Sequence, residues 1–219
     1  NGSSAIRLTS QILALSAGYR PENRLADIAA PVLATLQQRL RWPLSFATPL
    51  GDVMVIQETT RDQNPFVFDG GRTGLRLEML TTAIGCAYLA SCGIEEKEAA
   101  FGQWRCSNAG GEDAQRTLAA ARHRIDQAHE MGFALRRGGA PKRTTSIAVS
   151  VVVSSTPVGA LCTTFPTSAV PLSEACMKYV PELKEAAKAI ALSCEGPVDT
   201  IPPGERPRTK SARSRHQQF

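Results

Sequence analysis

The sequence is poor in the residue patterns that most often announce a chemistry. It holds only three histidines in 219 residues. His123 and His129 are six apart, which puts them on different faces of a helix and excludes an i,i+4 metal pair, and His216 lies near the C-terminus. The six cysteines, Cys86, Cys92, Cys106, Cys162, Cys176 and Cys194, include no C-x-x-C and no zinc-like spacing. Scattered through apolar patterns, they read as reduced, mostly buried thiols of a cytoplasmic protein rather than a disulfide framework. There is no Walker loop, dinucleotide glycine pattern or paired-histidine motif, so no cofactor and no metal are expected. No run approaches the roughly 18 apolar residues of a membrane span, and the longest, SIAVSVVV, is β-branched and of strand length. A basic region followed by an apolar signal core is also missing from NGSSAIRLTS, and because NGSS resembles a trimming scar, nothing about targeting follows.

What is present suits one domain with appendages, since a chain that is 42% hydrophobic can bury a substantial core at this length. The net charge of +5 is unevenly placed. ERPRTKSARSRHQQF at the C-terminus holds five Lys/Arg and one Glu, which leaves 20 basic against 19 acidic residues elsewhere. A duplex-binding domain usually carries a basic face. Here the excess sits in a tail of disordered composition, read as a solvated extension.

Periodicity orders the rest. IRLTSQILALSAG (6–18) reads as a short extended piece turning into an apolar helix, cut from something larger. A helix over Arg24 to Arg41 places Leu25, Ile28, Val32, Leu33, Leu36 and Leu40 on one stripe, and Pro31 should kink it or mark its true start. PLSFATPL, GDVMVIQETT and PFVFDGG follow as three strand-like runs, suggesting an antiparallel meander. A capped helix is expected at Thr82, a helical region after it through Phe101, and a long helix from about Asp113 to Met131, stopped by Gly132. GFALRRGGAPKR reads as a flexible basic turn into TSIAVSVVVSS, which pairs through a hairpin at Ser154 to Pro157 with PVGALCTTFP. A last amphipathic helix runs from Pro171 to about Cys194.

The most informative stretch is RTGLRLEMLTTAIGCAYLA (72–90). A Gly-broken basic loop leads through an apolar segment into a Thr-capped helix start. Thr81 and Thr82 can accept as N-caps, while the N–H groups of Ala83, Ile84 and Gly85 have no intrahelical partner and carry the positive end of the helix dipole. With Leu77 and Met79 upstream, such a terminus suits a small organic acid, although an ordinary capped core helix has the same chemistry. On the two late strands Ser146, Ala148 and Ser150 share one face, and Ala160, Cys162 and Thr164 share another. A small, polar sheet face leaves room for either a helix or a ligand.

Taken in order, these pieces resemble the effector-binding half of the isocitrate-lyase-regulator (IclR) family of bacterial transcription factors. LRLEMLTTAIGCAYLA is similar to that family's L-P-x-H-A-(S/T)-x-x-G-(K/R)-A-x-L-A segment, and GFA, TSIAVSV and VGALCTTFPTS follow its G-Y/F-A, S-I-A-V-P-V and A-A-L-S-V-S-G-P stretches. The sequence departs from the pattern at Leu80-Thr81, Ala83, Ser150 and Ala134. The resemblance implies an α+β, GAF-like domain with a central antiparallel sheet flanked by helices. It divides the chain into the end of a wing and a linker helix from a missing winged helix-turn-helix domain (1–20), the effector-binding domain (21–196) and a basic disordered tail (197–219).

The implied effector site comprises Leu77, Met79, Thr82, Ala83 and Ile84 from the helix entry and Ser146, Cys162 and Thr164 from the sheet. Arg72, Arg76 and Arg137, with Arg136 beside it, are candidate carboxylate partners. The implied function is ligand sensing for a transcriptional regulator of catabolic genes. The expected partners are a small aromatic carboxylate, DNA through the missing domain, and further copies in a homodimer or tetramer, with no membrane. The competing readings are an enzyme with Cys86 or Cys162 as nucleophile, for which an activating base is lacking, and a dimerisation module without ligand.

Overall fold

The computed structural model describes residues 22–61, 72–108, 111–138 and 143–195. The expected helix over Ile6 to Gly18, the strand-like PFVFDGG and the basic tail lie outside the described residues. Six strands, β1 (Leu44–Leu50), β2 (Val53–Thr59), β3 (Arg76–Glu78), β4 (Ala134–Arg137), β5 (Thr144–Val153) and β6 (Thr156–Pro166), form one sheet. Their order is β3-β2-β1-β6-β5-β4, and every pair is antiparallel. Five helices pack on it: α1 (Glu22–Leu40), α2 (Ala83–Ala90), α3 (Ile94–Ser107), α4 (Glu112–Met131) and α5 (Leu172–Glu195). The α+β architecture is therefore the expected one.

Alternation along the strands makes two apolar layers. Leu44, Phe46, Ile147, Val149, Leu161 and Phe165 turn to one face, where Leu33, Leu36 and Leu40 of α1 and Tyr179, Leu183 and Ile190 of α5 cover them. Ala47, Met54, Ala134, Ala148, Ala160 and Cys162 turn to the other and meet α2, Phe101 of α3 and Ile125 of α4. The hairpin between β5 and β6 turns on two residues, Ser154 and Ser155, at φ 46 and 68. That is the left-handed pair a two-residue type I′ turn requires, more often supplied by Asn-Gly. Glu195 at the end of α5 holds it, its Oε1 accepting from the Ser154 N–H at 3.0 Å and hydroxyl at 2.9 Å.

Three local expectations are revised. Helix α1 runs through Pro31 and begins nine residues before it, so Pro31 does not mark its start. The capped helix at Thr82 and the helical region after it are separate helices, as the chain breaks at Ser91 to Gly93 and restarts where the Gly93 N–H donates to Glu96 Oε2 at 3.0 Å. The stretch after Gly132 is not a free turn at first: Ala134–Arg137 is an edge strand paired with β5. Arg76–Glu78, expected only as an apolar lead into a helix, is likewise a short strand on β2. Both short strands owe their existence to pairing with a longer strand, β3 with β2 and β4 with β5.

Candidate functional site

The helix entry is built as a tight corner. Thr82 is the N-cap: its hydroxyl accepts from the Gly85 N–H at 3.2 Å and donates to Glu78 O at 2.7 Å. Thr81 turns instead to the Glu78 carboxylate at 2.8 Å. The Gly85 amide is thus satisfied, which narrows the expected set of open helix donors to Ala83 and Ile84. Gly85 itself lies against the preceding segment, where an added Cβ would stand 2.1 Å from the Met79 carbonyl oxygen. Only glycine allows this approach, and it presses α2 onto Met79 and Leu80, both buried. Leu80 O then receives Arg124 Nη2 of α4 at 3.1 Å.

At its other end α2 is fixed by two polar contacts. The Ser91 and Ser150 hydroxyls lie 2.6 Å apart, and His129 Nδ1 is 2.9 Å from Ala90 O. The helix, eight residues long, spans about 12 Å. Its N-terminus is tied to Glu78 of β3, the register partner of Val53 in β2. Helix α2 shares one apolar cluster with Ala148 and Ala160, the alanine half of the small sheet face.

The other half is polar. Across the sheet, Arg136 of β4, Ser146 of β5 and Thr164 of β6 are register partners, and two residues away along the strands Cys162 stands opposite Ser45, which stands opposite Thr59. The Ser146 and Thr164 hydroxyls are 3.0 Å apart, as are those of Ser45 and Thr59. Cys162 Sγ lies 3.9 Å from Thr164 Oγ1. All five side chains are buried. Among the expected residues, Ser146, Cys162 and Thr164 are thus joined, and Met79, Ala83 and Ile84 share the apolar cluster containing Cys162, with Leu77 packed against it.

The arginines separate sharply. Arg72 and Arg76 are exposed, and Arg76 alternates away from Leu77, which faces Met54 and the core. Arg137 is exposed, pairs with Thr145 and so occupies the face opposite Ser146. Arg136 is half-buried in the polar row, its Nη1 donating to Gly138 O at 2.6 Å. A second half-buried arginine, Arg61, follows β2 two residues after Thr59. Sequence reasoning missed Arg61, Ser45 and Thr59. The alternation of β1 and β2 was available, but only the pairing of β1 with β6 brings them beside Cys162.

Burial pushes the Cys162 thiol up, against the pull of its Thr164 hydrogen bond and of the charges on Arg61 and Arg136. The Cys86 thiol also rises through burial, opposed by Arg124. Both are neutral thiols at physiological pH, and neither has a histidine among the groups acting on it, so activation as a nucleophile has no visible source. Concavities lie elsewhere on the described residues. A groove of about 600 Å³ runs between α1 and α5, lined by Val32, Leu36, Ala186 and Leu192 among others, on the opposite side of the sheet. A hollow of about 140 Å³ sits at the C-terminal end of α2 beside His129 and Ser150.

No protein-family model matches the sequence. Solved structures do match the fold. An IclR family transcriptional regulator from Brucella abortus superposes with a TM-score of 0.69 at 19% identity, covering 84% of this chain and 68% of that one. An IclR homolog from Microbacterium hydrocarbonoxydans, solved with 4-hydroxybenzoate, gives 0.67 at 22%, covering 86% and 75%. The inducer-binding domain of the transcription factor PobR from Acinetobacter, a double mutant in complex with 3-hydroxybenzoic acid, gives 0.60 at 17%, covering 76% and 97%. At these identities the likeness establishes the fold shared with IclR-type regulators.

Proposed function

We propose that this chain is the ligand-sensing part of an IclR-type DNA-binding transcriptional regulator, binding a small aromatic carboxylate to control catabolic genes. The observation that supports the reading is a fold shared with known regulators in which Ser146, Cys162 and Thr164 form a buried polar row and Ala83 and Ile84 share the apolar cluster containing Cys162. In this reading Ala83 and Ile84 present helix N–H groups to the acid, Thr82 fixes the corner, and Leu77 and Met79 supply apolar wall. Two structural neighbours were solved with hydroxybenzoates, which supports aromatic acids as the class to test. RWPLSFATPLGDVMVIQETT and GRTGLRLEMLTTAIGCAYLASC further resemble the activator of hydroxyphenylpropionate catabolism, so phenylpropionates join benzoates on the panel.

Residues 1–20 would then connect a winged helix-turn-helix domain to a sensor of residues 21–196, with 197–219 a solvated tail. An effector shifts the operator affinity only as far as it binds one arrangement of sensor and linker better than the other. Dimers or tetramers would set the spacing of paired DNA-binding domains. The reading makes the protein cytoplasmic, and among the described residues no helix is long and apolar enough to cross a membrane.

A thermal-shift panel tests the proposal. A ligand at 100 times its Kd stabilises the native state by about 2.7 kcal/mol, so a panel acid should raise the melting temperature by several degrees. Failure of every benzoate and phenylpropionate to do so would overturn it.

A further inference from the structure

We infer that the groove between α1 and α5 is the seat of the chain's own residues 6–18, which turn back along α1 and cover it. The assignment is independent of the ligand-sensing reading, because the groove lies on the other side of the sheet from the polar row.

The two helices run antiparallel, since Arg39 Nη2 meets Glu182 Oε1 at 2.6 Å and, just beyond, the Trp42 indole N–H meets the Tyr179 hydroxyl at 2.8 Å. The last turns of α5 therefore lie beside the first half of α1. Between them the groove has Pro31, Val32 and Leu36 on one wall and Ala186, Ala189 and Leu192 on the other. Its apolar surface is unfinished. Leu192 is 57% exposed, and Leu25, Ile28 and Val32 are only half-buried although they flank the fully buried Ala29, Leu33 and Leu36. A continuous apolar strip between two helices marks a surface that another segment covers.

Residues 1–21 lie outside the described residues, and their composition and tether fit that surface. IRLTSQILALSAG carries Ile6, Leu8, Ile12, Leu13 and Leu15 beside a single charge, Arg7, which is too little polarity for a helix surrounded by water. Only Tyr19, Arg20 and Pro21 separate Gly18 from the start of α1 at Glu22. Three residues span about 10 Å at most, close to the roughly 8–10 Å between the axes of packed helices. Such a link is a helix-hairpin loop, so the segment returns beside α1. The lengths agree as well. A helix over 10–18 rises about 14 Å, as far as α1 rises from Glu22 to Pro31, which sets Leu15 level with Leu25 and Ile12 level with Ile28. The extended piece before it gains about 3.3 Å per residue and carries Leu8 and Ile6 along the groove from Val32 towards Arg39. Other occupants fit less well. Beyond Glu195 the only large apolar side chains are Val198, Ile201 and Phe219, and a second copy competes with a segment whose short tether gives it an effective concentration of about millimolar.

Hydrogen exchange on the 219-residue chain tests this, because a helix of that length is marginal in water unless it docks. In wild type the amides of residues 12–17 are expected to exchange at least about 10-fold slower than in the free peptide. Leu192→Glu should return them to the free rate while α1, α5 and the sheet keep theirs. Ala189→Glu, at an exposed groove position one turn earlier, carries the same comparison if L192E does not fold. Free-rate exchange in wild type, or protection that both Glu variants leave intact, would overturn the assignment. So would protection that vanishes on dilution as a dimer becomes a monomer, which gives the groove to a second copy. Protection of 197–219 in place of 12–17 would give it to the tail and overturn the assignment too.

Discussion

On the face covered by α1 and α5 the strands present Leu44, Phe46, Ile147, Val149, Leu161 and Phe165; on the opposite face the same strands present Ser45, Ala47, Ser146, Ala148, Ala160, Cys162 and Thr164. Neighbouring residues of one strand thus meet two environments. The first face is filled by large side chains: Phe165 packs edge-on to Tyr179 at 5.4 Å and near Trp42 at 6.0 Å, and the Trp42 indole N–H donates to the Tyr179 hydroxyl at 2.8 Å. The second is shallow, because alanines let α2 approach and hydroxyls pair along the remaining row. Large apolar area on one side stabilises the sheet, which frees the other side to carry buried polar groups that a thinner core would not support.

The largest expected effect falls on the first face. Phe165→Ala should cost about 3–5 kcal/mol in urea denaturation while leaving the acid response of the remaining folded protein intact. A loss below about 1 kcal/mol would mean that this face is not the main support. Next comes the corner of α2. Gly85→Ala would ordinarily gain about 1 kcal/mol of helix propensity, yet the 2.1 Å approach to Met79 O predicts a net loss, about 1–3 kcal/mol as for overpacking. A higher melting temperature for this variant would show that α2 does not lie so close to Met79.

Thr164→Val should separate the faces more finely. It removes the hydroxyl bonded to the buried Ser146 and leaves that group without its partner, so stability should fall by about 1–3 kcal/mol, while the thermal shift induced by a binding acid should shrink. An unchanged shift would detach Thr164 from the ligand. The smallest effect concerns the thiols near α2 and the polar row. Burial raises the folded-state pKa of Cys86 and Cys162, and that of Cys92 to about 11 from an ordinary 9.0. A raised pKa contributes stability that is complete below the unfolded value and is lost as pH climbs through the folded one. The melting temperature should therefore decline from about pH 9 towards pH 11. At neutral pH iodoacetamide should label exposed Cys106 ahead of these three; simultaneous labelling of all four would show that the second face opens readily.

Much of this architecture was legible in the residues. The stripe of α1, the stop of α4 at Gly132 in the left-handed region, the capping role of Thr82 and the two-faced alternation of β5 and β6 are local signals, and each holds. The short strands β3 and β4 were not legible. Three or four residues carry too little pattern, and their strand geometry comes from hydrogen bonds to β2 and β5. The position of the break at Ser91 was hidden for a related reason, since its signal is a glycine cap completed by Glu96 rather than a helix-breaking proline.

The candidate site divides in the same way. Sequence by itself determined the chemical kinds present, a capped helix entry, a small polar strand face and several arginines nearby, because side-chain alternation and capping are properties of a few consecutive residues. Only the tertiary structure decided that Arg136 rather than Arg137 faces the row, that Ser45 stands beside Cys162, and that α2 packs in one cluster with Ala148 and Ala160. Those choices depend on register between strands, both consecutive ones such as β4 and β5 and distant ones such as β1 and β6, where a shift of one residue exchanges the two faces of a strand.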